Sequence, residues 1–177
     1  MKRLYILRHA KAAQAEPGQD DHARALTMRG IADAEAVARY LHKNGAKPER
    51  VLISTSARTI QTADLVLREL EGPPRADYRD GLYLASADKI VAMLKMLPGK
   101  FSDVMVVGHN PGLEQLALAL ASVPLEKKLR KRYDAMDEKF PTCALAVIDF
   151  EVERWRDVTP GRGDLDAFVR PKDLEGG

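Results

Sequence analysis

The chain has 177 residues, enough to bury the core of one domain without disulfides or a structural metal. Its apolar content of 45% and charged content of 31% argue against disorder, and no apolar run approaches the about 20 residues that span a bilayer. The net charge of +2 is too small to indicate a nucleic acid partner. We therefore expect a single domain over residues 1–177, with no nucleic acid and no membrane as partner.

The first half of the chain alternates short apolar runs with helical patterns. In chain order it predicts a strand at 3–7, a helix at 27–44, a strand at 50–54, a helix at 56–70 and a short strand at 76–78. Thr27 is the expected N-cap of the first helix, because the apolar residues that follow it recur every three or four positions. Gly45 offers the stop signal at the other end of that helix.

The second half continues the alternation. In chain order it predicts a helix at 86–97, a strand at 103–107, a helix at 111–120, a charged segment at 126–139, a strand at 144–150 and a strand at 154–159. Ser86 is the expected cap of the first of these helices, and Pro111 suits the first position of the next. We expect the last strand to pair antiparallel with the strand before it.

Strands that alternate with helices are typical of a mostly parallel sheet covered on both faces. The predicted fold class is therefore α/β: a three-layer αβα sandwich with a mostly parallel central sheet and an antiparallel C-terminal edge hairpin.

The charged segment at 126–139 is the irregular part of the pattern. Five basic residues fall within 127–132, and three acidic residues follow within 134–138. A basic run can bind an acidic partner, but the acids follow at once and Tyr133 is the only aromatic residue among them. We favour a solvated helix or excursion, and docking of a partner stays open.

Two features bear on location. The apolar run at 4–7 is shorter than the about 7 to 15 residues of a secretory signal. The single cysteine, Cys143, cannot form an internal disulfide, which suits a reducing compartment. We expect a cytoplasmic protein.

Three motifs whose side chains are typical of catalytic or binding sites follow three of the predicted strands. Arg8 and His9 follow the first strand, Arg58 lies just beyond the second, and His109 follows the strand at 103–107. Because ligands bind at the carboxyl ends of the strands in an open α/β sheet, we expect these four side chains to meet in one pocket. The pocket would be cationic and close to helix N-termini, a combination that favours a phosphate group.

Each residue alone is a weak signal, since a lone histidine is more often packed or solvated and a lone arginine is more often a surface charge. Arg58, however, lies in the first turn of its predicted helix, where a cation opposes the macrodipole. A purely structural role gives no physical reason for a cation at that position. The shared position of the four residues is the stronger argument.

At these motifs the chain resembles the histidine phosphatase superfamily, whose Arg-His-Gly signature corresponds to Arg8-His9-Ala10 here, and more closely the SixA-like phosphohistidine phosphatases. The matching stretches fall between residues 4 and 150, and are 7–12, 21–30, 54–63, 82–85 and 108–111. The resemblance implies that His9 is the nucleophile and becomes transiently phosphorylated. It also implies that Arg8, Arg58 and His109 bind the transferring phosphoryl group.

The resemblance implies no metal and no cofactor. His9 and His109 are zinc-binding residue types, but the neighbouring arginines would repel a dication and no carboxylate joins them in a recognisable ligand spacing. Arg24 is a further candidate for substrate binding, with a structural salt bridge as the equal alternative.

A phosphate ester expels a poor leaving group, so phosphoesterases usually position a carboxylic acid to protonate it. The chain carries Asn110 after the second histidine, and no glutamate at 80–84, the two regions where the superfamily's branches place that acid. Asp21, Asp80 and Glu114 are possible acids, each better explained as a cap or a solvated charge.

A phosphorylated imidazole leaves with far less protonation than an alkoxide. The missing acid therefore favours a metal-independent phosphatase that acts on phosphohistidine in a signalling or phosphotransfer protein. Two alternatives stay open: a phosphomonoesterase or mutase-like enzyme acting on a small metabolite, and a phosphate-binding domain without turnover.

Overall fold

The computed structural model describes residues 1–72 and 74–175. Within them the strands are β1 (Lys2–Arg8), β2 (Arg50–Ser54), β3 (Arg75–Arg79), β4 (Asp103–Gly108), β5 (Leu145–Phe150) and β6 (Asp164–Val169). They form one sheet in the order β3-β2-β4-β1-β5-β6. The first four strands of that order run parallel, β5 is antiparallel to β1, and β6 is antiparallel to β5. The predicted mostly parallel sheet with an antiparallel C-terminal edge is confirmed.

The helices lie on both faces of this sheet. They are α1 (Met28–Lys43), α2 (Ala57–Glu69), α3 (Ala87–Lys95), α4 (Gly112–Leu120) and α5 (Lys127–Glu138). Buried residues of α1 and α2 share one apolar cluster with the sheet, and those of α3, α4 and α5 share a second. The three-layer αβα sandwich is confirmed.

Side-chain caps account for three of the helix starts. The hydroxyl oxygens of Thr27, Ser56 and Ser86 each accept a hydrogen bond from the backbone N–H three residues further on. Each bond satisfies a donor that the helix itself leaves unpaired. The fourth helix begins at Gly112 with Pro111 as its N-cap, one residue later than predicted.

The prediction of a strand at 154–159 is wrong. Trp155–Asp157 forms a 3-10 turn, and the antiparallel partner of β5 is β6. Trp155 and Val158 are buried three positions apart, a spacing that suits a turn rather than the two-residue period of a strand. The indole N–H of Trp155 donates to the carbonyl of Phe101 at 2.8 Å, so this turn buries its side chain in the core and does not extend the sheet.

The charged segment is the helix α5, whose basic residues are mostly exposed and whose one buried residue is Met136. It lies against β6, where Arg132 donates to the carbonyl of Asp166 at 2.6 Å. The predicted solvated helix is therefore present. Within the described ranges, none of the helices combines the length and apolar character needed to cross a membrane.

The register of the sheet sets the position of the two histidines. In the parallel pair of β1 and β4, Leu7 lies opposite Val107 and Arg8 opposite Gly108. The chain then continues from both strands at the same edge, and the N–H of His9 donates to the carbonyl of Gly108 at 3.0 Å. His9 and His109 therefore face each other, with ring centroids 5.3 Å apart.

Candidate active site

A cavity of about 450 Å³ opens at this edge of the sheet. All five residues that the sequence singled out for binding or catalysis line it: Arg8, His9, Arg24, Arg58 and His109. They come from the end of β1, the segment before α1, the first turn of α2 and the end of β4. Four of them, Arg8, His9, Arg58 and His109, are the side chains that the ends of the parallel strands were expected to bring together, and the structure places them in one cavity. Arg24 reaches the same cavity from the segment before α1.

The His9 ring is held in one tautomer. Its Nδ1 lies 2.7 Å from the carbonyl oxygen of Ala10, and because a carbonyl only accepts, Nδ1 carries the proton. Nε2 is left with its lone pair. The residue is 8% exposed, and this burial, with Arg58 and Arg8 nearby, lowers the pKa of His9 from 6.5 to about 4. At neutral pH the ring is thus uncharged, with the lone pair of Nε2 available.

His109 is held in the opposite tautomer. Its Nδ1 lies 3.3 Å from Nη2 of Arg58, which can only donate, so the proton of the ring is on Nε2. That Nε2–H donates to the hydroxyl of Ser54 at 2.7 Å. Burial, together with the nearby His9 and Arg58, lowers the pKa of His109 to about 3. An anion placed between the two histidines would reverse both shifts, because it favours the charged imidazolium.

The two arginines of the site are buried against polar partners. Nη1 of Arg8 donates to the carbonyl of Phe140 at 3.0 Å, which also accepts from Nδ2 of Asn110 at 2.9 Å. Burial lowers the pKa of Arg8 without removing its charge at neutral pH. Nε of Arg8 and Nε of Arg58 are buried and have no hydrogen-bond partner within the described residues. Both guanidinium groups therefore retain N–H donors that no described residue uses.

Asp21 is the counter-ion of this cationic site. Its carboxylate accepts from Nη2 of Arg58 at 3.1 Å, from Nε of Arg24 at 2.9 Å and from the hydroxyl of Tyr83. The hydrogen bond from Tyr83, followed by those from the arginines, lowers the pKa of Asp21 to about 2. The carboxyl is ionised at neutral pH and is not a proton donor there.

The other two candidate acids lie outside the cavity. A carboxylate oxygen of Asp80 accepts from the hydroxyl of Thr55 at 2.8 Å, and Glu114 lies in the first turn of α4. Neither side chain lines the cavity, and among the described residues Asp21 is the only carboxylate that does.

A threonine from α2 fixes the loop that carries His9. The N–H of Ala10 donates to Oγ1 of Thr62 at 2.9 Å, and that hydroxyl donates to the carbonyl of Arg58 at 2.7 Å. The loop after β1 is therefore tied to the turn of α2 that presents Arg58. Thr62 belongs to the motif that the sequence highlighted, but its role was not predicted.

Several cavity residues were missed by the sequence reasoning. Lys11 and Ala12 directly follow the nucleophile motif, and Thr142 comes from the loop between α5 and β5. Tyr83 is not among the lining residues, but its ring packs edge-on against His109, with ring centroids 5.3 Å apart. A signal existed for Tyr83, since it lies in the stretch 82–85 that carries the family resemblance, whereas the loop at 139–144 has no periodic pattern.

The position of Arg24 is compatible with both of the roles that the sequence left open. It lines the cavity, and it is also salt-bridged to Asp21 and bonded to the carbonyl of Ala13 at 3.0 Å. Within residues 1–72 and 74–175, no three histidine, cysteine, aspartate or glutamate side chains are grouped so that they would hold a metal ion together.

Comparison with known proteins identifies the relatives of this chain. Residues 4–82 match the family model described as histidine phosphatase superfamily (branch 1). An uncharacterized protein of Mycobacterium tuberculosis is 34% identical over 167 residues, which cover 94% of this chain and 100% of the relative.

Solved structures extend the similarity over nearly the whole chain. SixA from Agrobacterium tumefaciens is 33% identical, with a TM-score of 0.79 over 96% of this chain and 98% of that one. The protein histidine phosphatase SixA in complex with tungstate is 25% identical, with a TM-score of 0.77 over 98% and 99% of the two chains. The fold and the sequence of this chain are therefore both similar to those of SixA proteins.

Proposed function

Since the chain belongs to the histidine phosphatase superfamily and is SixA-like, we propose that it removes phosphate from phosphohistidine on a partner protein. The proposed nucleophile is His9, and the proposed phosphate-binding residues are Arg8, Arg58 and His109, with Arg24 at the cavity wall. No metal or cofactor takes part in the proposed reaction. A cytoplasmic signalling or phosphotransfer protein is the proposed partner.

The proposed reaction has two displacements at phosphorus. In the first, the substrate's phosphorylated imidazole carries a proton on its other ring nitrogen. The lone pair on Nε2 of His9 forms a bond to phosphorus while the bond from phosphorus to the substrate's nitrogen breaks, and that nitrogen keeps the electron pair, so the substrate leaves as neutral histidine. In the second, water forms a bond to phosphorus, the bond to Nε2 breaks and a proton of the water is released. The products are inorganic phosphate, free histidine on the partner and unmodified His9.

The electrostatics of the cavity support this chemistry. The phosphoryl group carries most of the charge in such a transfer, and fixed donors of positive charge stabilise it. Arg8 and Arg58 supply donors whose Nε groups are buried without a partner in the described part of the chain. Binding of the dianion would raise the pKa of His109, whose Nδ1 could then take up a proton and donate it to a phosphate oxygen.

The substrate proposal depends on one observation: no protonated carboxyl group lines the cavity in the described part of the chain. This favours a substrate with a phosphorus–nitrogen bond over a phosphate ester. Asp21 is the only carboxylate lining the cavity among the described residues, and it is ionised and bonded to Arg24, Arg58 and Tyr83. An alkoxide leaving group would need a carboxylic acid to protonate it, and the one carboxyl group that lines the cavity in the described residues is ionised at neutral pH. An imidazole leaving group depends much less on protonation by an acid of the cavity.

The test compares leaving groups on one enzyme. We expect kcat/KM for a phosphohistidine protein to exceed that for a phosphoserine or alkyl phosphate substrate by at least about 100-fold, and His9→Ala to abolish both. Rapid quenching should trap an acid-labile phosphoenzyme on His9 in the wild type. A preference for the alkyl ester would favour the alternative, a phosphomonoesterase or mutase-like enzyme acting on a small metabolite. Binding of vanadate without turnover of any substrate would indicate a phosphate-binding domain.

A further inference from the structure

One residue at the mouth of the cavity combines two unfavourable features. Leu84 has a φ of +49°, in the left-handed region that side chains other than glycine, asparagine and aspartate avoid. Its side chain is also 55% exposed, although it is large and apolar. Among the exposed large apolar side chains of the described residues, it is the one that lines the cavity.

The neighbours of Leu84 fix this conformation from both sides. Before it, Tyr83 is anchored by its hydroxyl on Asp21 and by its ring against His109. After it, the carbonyl of Ala85 packs so closely on α4 that a Cβ at Gly112 would lie 1.9 Å from that oxygen. The backbone at Leu84 therefore has no room to relax to a negative φ without moving an anchored neighbour.

A glycine or an asparagine would fit this backbone at lower cost. Strained backbone is concentrated at functional sites, where the structure around it holds a side chain in a required place. What leucine adds at this position is an apolar surface that projects at the cavity mouth. A phosphoryl group, which needs cations and hydrogen-bond donors, makes no use of such a surface.

The rest of the cavity wall shows what the apolar surface would contact. The wall is dominated by charged and polar side chains, namely Arg8, His9, Lys11, Asp21, Arg24 and Arg58, together with others of the same kind. Leu84 is its one large apolar residue within the described part of the chain. A leaving group that is flat and carbon-rich gains from this contact, whereas a hydroxylated one does not.

We propose that Leu84 forms an apolar subsite that holds the imidazole ring of the phosphohistidine while phosphorus is transferred to His9. This inference rests on the proposed function and specifies how the leaving group is recognised. Leu84 is thus a specificity-determining residue, and the positive φ is the cost of presenting its side chain beside the phosphate-binding groups.

Two small substrates separate the ring from the bond that is broken. Free phosphohistidine carries the imidazole ring without any flanking protein residue, and phosphoramidate has a phosphorus–nitrogen bond without the ring. For Leu84→Ala we expect kcat/KM for phosphohistidine to fall about tenfold, the size typical of a lost apolar contact, and kcat/KM for phosphoramidate to change less than twofold. Leu125→Ala, at a fully exposed leucine that does not line the cavity, is the matched control and should change neither.

A second variant separates recognition from folding. Asparagine tolerates the left-handed region, so Leu84→Asn should unfold at the same or a higher temperature than the wild type while showing the same loss on phosphohistidine. Equal losses on both substrates, or no loss on phosphohistidine, would overturn the subsite alone. A loss confined to a phosphohistidine protein would also overturn it, by assigning Leu84 to a flanking residue of the partner. If the wild type prefers alkyl phosphates to both compounds, the proposed function fails and the subsite with it.

Discussion

Nη2 of Arg58 donates to Nδ1 of His109 across 3.3 Å, and both side chains are almost fully buried. A cation directed at an imidazole nitrogen keeps that nitrogen unprotonated, so the pair is stable only while His109 is neutral. The same guanidinium also holds Asp21. The groups proposed to bind phosphate are therefore arranged around a carboxylate in the free protein, and a phosphoryl dianion would have to compete with that carboxylate for their donors.

The two buried histidines should make stability depend on pH. The pKa values of His9 and His109 are lowered to about 4 and about 3, whereas an unfolded chain titrates near 6.5. Between these values the unfolded state binds more protons, so acidification below about pH 6.5 destabilises the fold. Each histidine should contribute up to about 1.4 kcal/mol per pH unit to the free energy of unfolding. Urea denaturation at pH 7, 6 and 5 measures this slope.

Replacing the two histidines tests whether they cause this pH dependence of the free energy of unfolding. In His9→Ala the pH dependence between 6.5 and 4.5 should fall by about one proton, and in the double variant with His109→Ala it should largely vanish. Inorganic phosphate at saturating concentration should reduce the slope of the wild type as well, because a bound dianion raises both pKa values. An unchanged slope in the double variant would contradict the neutral, buried state of both rings.

Arg58 should not be replaceable by lysine. Its fork reaches the backbone carbonyl and the carboxylate of Asp21 as well as His109, and one ammonium group on a flexible stem cannot reproduce that geometry. We expect Arg58→Lys to lower kcat/KM by about 100- to 1000-fold, the loss typical of removing one oriented donor from a transition state. Arg24→Lys, at the more exposed partner of Asp21, should cost less than about tenfold. Equal losses would place the two arginines in equivalent roles.

Asp21 should oppose phosphate binding. Its carboxylate occupies donors of Arg24 and Arg58, and its charge repels a dianion in the same cavity. Asp21→Asn should therefore lower the inhibition constant of inorganic phosphate about fivefold, since two charges about 4 Å apart in a water-like medium interact by about 1 kcal/mol. Asp80→Asn, outside the cavity, is the control and should leave it unchanged. If Asp21 were a general acid, its replacement would instead abolish turnover of alkyl phosphates.

The strand-end residues of the site could be predicted because the sheet makes them neighbours. Arg8, His9 and His109 follow adjacent parallel strands, so their sequence positions alone predict that they meet. The same argument places Arg58, which lies in the first turn after β2. Helix starts were predictable for a local reason, since a cap such as Ser56 acts within one turn.

The remaining contacts depend on loops without a periodic pattern. Asp21 and Tyr83 are 62 residues apart in sequence, and Arg58 also donates to the backbone carbonyl of Asp21 in the segment before α1. Strand β6 was missed, and the pairing with β5 was assigned to 154–159 instead. The polar–apolar alternation that marks a half-buried strand covers only residues 164–167, and Phe168 and Val169 then break it. These placements follow from tertiary packing, which a single sequence does not display.

Gly112 should be required by the close approach of Ala85. A Cβ at this position would lie 1.9 Å from the carbonyl oxygen of Ala85, so Gly112→Ala forces the backbone on one side to move. Helix propensity alone would favour alanine by about 1 kcal/mol, yet we expect the variant to be destabilised by about 2 kcal/mol or more. Gly108→Ala is the matched control, since its Cβ would meet Leu113 at 3.5 Å, an ordinary contact. Guanidinium denaturation of both variants measures the difference. A Gly112→Ala protein as stable as the wild type would mean that Ala85 moves freely, and the fixed presentation of Tyr83 and Leu84 would then be wrong.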